Sequence, residues 1–128
     1  MLLGQLRAEF PWGLLLVTDA SSTDAIPSWA TPEEQVTSAA SALVVRVRHG
    51  DEGECAVMVW NDEKEASGGL AFAGSIDVPS GILRISDALG NAITELAVEP
   101  GQHPVQIFAD SAVEASTINL DLATALEP

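Results

Sequence analysis

The sequence of 128 residues contains no tyrosine, one cysteine, three tryptophans, three phenylalanines and five basic side chains. With so few aromatics, a core has to be assembled from Val, Leu, Ile and Ala. A lone cysteine excludes an intrachain disulfide. Cys55 lies in the apolar run Cys55-Ala56-Val57-Met58-Val59-Trp60, the setting of a buried structural thiol. The apolar run at residues 14–17 is too short for a membrane span or a signal-peptide core, and the opening MLLGQLRAEF has no basic stretch before an apolar one. A cytoplasmic protein that does not enter a membrane is the expectation.

Positive charge is the scarcest property. Arg7, Arg46, Arg48, Lys64 and Arg84 stand against nineteen acidic residues, for a net charge of -14. Phosphate backbones and anionic lipids are held by clustered cations, so direct binding to nucleic acid or to a membrane surface is not expected. An acidic surface serves either solubility, its commoner use, or attraction of a basic protein partner.

Catalytic signatures are missing too. The two histidines, His49 and His103, each stand beside a turn and lack a partner at zinc-ligand spacing; both read as surface histidines at strand ends. The chain has no GxSxG elbow, no GxGxxG or GxxxxGKS phosphate loop and no DxDxDG calcium loop. No catalytic residue, metal ligand set or cofactor is assigned, and the expected protein is not an enzyme.

What the chain does have is alternation. Hydrophobic residues make up 47% of it, and a chain of 128 residues is long enough to bury roughly 65% of its unfolded surface in one core. In residues 96–110, apolar side chains alternate up to Val98, break at Glu99-Pro100-Gly101-Gln102 and resume at Val105, Ile107 and Ala109. That pattern predicts two antiparallel strands joined by a short turn. Residues 1–19 read as a second hairpin, broken at Pro11-Trp12-Gly13. Residues 38–49 read as the longest strand, with Leu43, Val45 and Val47 on one face, returning through Gly50–Gly53 as a neighbouring strand over residues 54–60. The expected fold is all-β, a single domain over residues 1–128 forming an antiparallel β-sandwich of about eight to ten short strands. One short helical turn is expected at residues 31–35, where Thr31 can cap and Pro32 suits the first helical position.

Two acidic groups are the candidate binding residues: Asp51, Glu52 and Glu54, then Asp62, Glu63 and Glu65. At opposite ends of a hairpin they do not converge on one ion, and solvated loops are the plain alternative. Trp29 lies in the long polar connection at 19–35, as a plug over the core edge or as an exposed anchor. Arg46, Arg48 and Arg84 are expected to pair with acids on adjacent strands; a carboxylate-recognising pocket is the other reading.

Leu16-Val17-Thr18-Asp19, then Ile26-Pro27-Ser28-Trp29-Ala30-Thr31, then Gln35 and a strand at 43–47 followed by an acidic turn form an ordered pattern. Over residues 14–60 it resembles the competence-nuclease inhibitor (competence protein J-like) family of small bacterial proteins. This chain departs from that family at Thr37-Ser38-Ala39-Ala40, where aromatic and arginine residues are usual. The resemblance implies an inhibitor or immunity-type module that masks a nuclease, which fits the electrostatic expectation of a basic partner. The alternative is a small domain that binds a small ligand or metal through loop carboxylates. A monomer and a homodimer paired through the small-residue strand at 70–74 stand as equal expectations.

Overall fold

At all three places where the sequence suggests a hairpin, the chain changes sheet instead. The computed structural model describes residues 2–22, 35–60, 68–111 and 114–122. Apart from Gln35, the helical turn expected at residues 31–35 lies outside them. One sheet has the order β1 (Leu2–Ala8), β5 (Cys55–Trp60), β10 (Thr117–Asp121), β9 (Gly101–Ala109), β6 (Gly69–Val78). The other has the order β3 (Val36–Ser38), β4 (Ala42–Arg46), β2 (Leu14–Asp19), β7 (Ile82–Asp87), β8 (Ile93–Ala97). The all-β sandwich is therefore as expected. Its pairs are antiparallel except one: β10 runs parallel to β5, with Ile118 opposite Val57 and Leu120 opposite Val59.

The expected hairpins at 1–19, 43–60 and 96–110 are corrected by this topology. β1 pairs with β5 while β2 pairs with β4 and β7. β4 and β5 lie in opposite sheets, as do β8 and β9. Alternation reports which face of a strand is buried; it says nothing about whether the next strand lies beside it or across the core, about 10 Å away. Each crossing, including that from β6 to β7, carries one glycine at positive φ: Gly13, Gly53, Gly81 and Gly101. The strand expected at residues 38–49 is also divided. β3 and β4 form a short hairpin there, and the longest strand among the described residues is β6, with 10 residues.

The inward positions of both sheets meet in a cluster built on Leu15, Val17, Leu43, Val45, Val57, Val59, Ile76, Leu83, Ile85, Ile107, Ile118 and Leu120, all essentially without exposure. Burying each such side chain contributes about 1.5–3 kcal/mol. Phe10 joins this cluster just beyond β1. Among the described residues it is the one aromatic side chain with no exposure. Helical elements among the described residues are two 3-10 turns, Pro11–Gly13 and Gly50–Glu52, and no helix is long and apolar enough to cross a membrane.

Candidate partner-binding surface

The two 3-10 turns meet at one end of the sandwich because both are fastened to the same buried residue. The Phe10 carbonyl accepts the N–H of Gly13 and that of Gly50, each at 2.9 Å. Gly50 can come this close because it has no side chain: a Cβ there would stand 3.1 Å from the Phe10 carbonyl carbon and oxygen. Val47 then donates its N–H to the Gly13 carbonyl at 2.9 Å, which joins the first turn to the end of β4.

Trp12 sits between Pro11 and Gly13 with φ 58 and ψ 9. It is the one non-glycine residue with positive φ among the described residues. An L-residue in the left-handed region costs about 1–2 kcal/mol, and a bulky side chain gains little there unless it packs. Trp12 is 60% exposed. Turning the chain sharply from β1 to β2 leaves its indole pointing outward, next to the acidic turn.

On the second turn, Asp51 and Glu52 are exposed, and Glu54 follows, also exposed. His49 Nδ1 lies 3.3 Å from Asp51 Oδ1, and the Asp51 side chain remains 83% exposed. Glu54 faces Arg7 across the β1–β5 edge at 4.0 Å, a surface pair worth little. Two clefts include Trp12 in their lining. One, of about 400 Å³, is lined by Glu9, Pro11, Trp12, His49, Gly50 and Asp51. The other, of about 390 Å³, is lined by Trp12 together with Arg46, Glu52 and Glu114.

Asp51, Glu52 and Glu54 thus share this end of the molecule. Trp29, Asp62, Glu63 and Glu65 lie outside the described residues. Sequence reading passed over Trp12, treating Pro-Trp-Gly as a strand break, and it passed over Glu9 and Glu114. A tryptophan between proline and glycine has no inward slot in a strand, and that was the available signal.

No protein-family model matches the chain, and no curated protein matches its sequence. A solved structure does match: the crystal structure of ComJ, inhibitor of the DNA degrading activity of NucA, from Bacillus subtilis. The TM-score is 0.74 at 12% sequence identity, over 94% of this chain and 95% of that one. The chain shares its fold with ComJ.

Other expected sites resolve differently. Arg84 pairs with Glu95 at 2.7 Å, directly opposite it on β8, as cross-strand pairing predicts. Arg48 is half-buried; its guanidinium occupies the space beside Gly53, where a Cβ would come within 3.0 Å of Nη1. His103 is not a surface histidine: it is buried and hydrogen-bonded to the Glu99 carbonyl, because it shares the inward face with Val105 and Ile107. Among the described residues, no three His, Cys, Asp or Glu side chains come together as a metal site.

Proposed function

We propose that this chain is a protein-binding inhibitor that masks a basic partner, with a nuclease as the target class. The observation that carries the reading is the exposed group Asp51, Glu52 and Glu54, which follows directly from a turn fastened to the buried Phe10 in a chain of net charge -14. A nuclease cleft is positively charged because it must hold phosphates. A rigid acidic surface competes for such a cleft, associates quickly and weakens as salt rises. ComJ inhibits a DNA-degrading protein, and the likeness of fold over nearly the whole chain supports a nuclease as the target. The action proposed is steric masking by a single domain, without chemistry of its own; Trp29, Asp62, Glu63 and Glu65 are proposed as further contributors.

Capture of partners from a lysate of the source cell tests this. At low salt the captured fraction is expected to carry DNA-degrading activity that stays latent until high salt releases it. A variant with Asp51→Lys, Glu52→Lys and Glu54→Lys is expected to capture none. A captured fraction without latent nuclease activity, or capture unchanged by the charge reversal, contradicts the proposal.

A further inference from the structure

The two clefts beside Trp12 differ in one respect that bears on what can enter them. The cleft lined by Glu52 and Glu114 already has the cationic Arg46 in its lining. The second cleft has two carboxylates, Glu9 and Asp51, one imidazole and an exposed indole, with no Lys or Arg in its lining among the described residues. We propose that this second cleft takes an arginine side chain of the basic partner, its guanidinium stacked on Trp12 and its N–H groups donating to Asp51 and Glu9. The inference rests on the functional reading above and adds the chemistry of the residue recognised.

Size, charge and shape agree on that occupant. A volume of about 400 Å³ admits a guanidinium with part of its stem. Guanidinium is planar and weakly hydrated, so it stacks on an aromatic face while its edge donates in a fork to carboxylates; a lysine ammonium is compact, strongly hydrated and does neither as well. A nucleobase would also stack on an indole, but its phosphates would meet a chain of net charge -14. A second copy of this chain would bring the same repulsion. The exposure of Trp12, at 60%, matches an anchor that becomes desolvated on binding, and tryptophan is among the residue types most enriched at such positions.

The test titrates the full chain, labelled with nitrogen-15, with an arginine oligomer and a lysine oligomer of equal length at low salt. The Trp12 indole N–H resonance is followed, assigned through Trp12→Phe. The arginine oligomer is expected to move that resonance and to bind about five- to tenfold more tightly than the lysine oligomer. Trp12→Leu, with folding verified by circular dichroism, is expected to lose the preference while keeping salt-dependent binding of both peptides. A wild-type chain that binds the two equally, or a Trp12→Leu variant that still prefers arginine, overturns the inference and leaves the acidic-surface reading standing. Failure of the wild-type chain to bind either peptide overturns both.

Discussion

The Ser80 hydroxyl donates to Asp19 Oδ1 at 2.6 Å, fastening the end of β2 to the turn that carries the chain from β6 across to β7. The Ser80 N–H reaches the same oxygen at 3.1 Å, and the Ser21 N–H reaches Oδ2 at 3.0 Å. Asp19 is only 2% exposed, and removing its carboxylate leaves three donors on the exposed Ser21 and Ser80 to water, with the loss of hydrogen bonds to a charged acceptor. Asp19→Ala is expected to cost about 2–3 kcal/mol in urea denaturation and Ser80→Ala about 1 kcal/mol. A cost for Asp19→Ala no larger than that for Ser80→Ala would show that the clamp is not organised by the carboxylate.

The same clamp sets a pH dependence. Burial alone would raise the Asp19 carboxyl, but the hydrogen bonds from Ser80 and Ser21 outweigh it and hold the group below the ordinary carboxylate range. Asp110 behaves alike: burial raises it, while donation from Ser116 and Thr117 lowers it further. A carboxyl held low in the folded chain is protonated first in the unfolded one. Its contribution is therefore complete above the unfolded value of about 3.9 and is lost as pH falls through the folded one. The stability gap between wild type and Asp19→Asn is expected to hold steady down to about pH 5 and to close only below about pH 4. A gap that closes between neutral pH and pH ~5 would contradict this assignment.

Cys55 offers a readout of opening. Burial, aided by the nearby Asp110 and opposed by Arg48, pushes its thiol up to about 12, so thiolate is scarce at any ordinary pH. The native chain is expected to resist an aromatic disulfide reagent at mildly alkaline pH, and the denatured chain to react fully. Prompt reaction of the native chain would mean that β5 opens readily at its first residue.

Trp12 is expected to serve binding and not folding. Asparagine tolerates the left-handed region better than other residues with side chains, and the indole buries little. Trp12→Asn is therefore expected to melt no lower than wild type while weakening partner capture. A fall in melting temperature of more than about 4 °C, roughly 1 kcal/mol for a chain of this size, would make Trp12 a packing residue instead.

How much of this could be read from the sequence depends on what the pattern encodes. Leu43, Val45 and Val47, or Val105, Ile107 and Ala109, declared their buried face because a strand repeats every two residues. The same rule, carried two positions back from Val105, would have put His103 inside. Strand partners were not encoded. The turn around Pro100-Gly101 reads alike for a hairpin and for a crossing between sheets, and the parallel union of β5 with β10 joins segments far apart in the chain. The acidic turn was legible because Gly50 and Gly53 bracket it. Trp12 was not, since its outward aim comes from a left-handed backbone angle that no periodicity records.

The most direct measurement is the inhibition of the captured nuclease by added protein, followed as DNA degradation at low and at high salt. Wild type is expected to inhibit at low salt and to lose potency as salt rises. The variant carrying Asp51→Lys, Glu52→Lys and Glu54→Lys is expected to need at least about tenfold more protein for the same inhibition. Equal potency of the two proteins, unchanged by salt, would contradict recognition through the acidic turn.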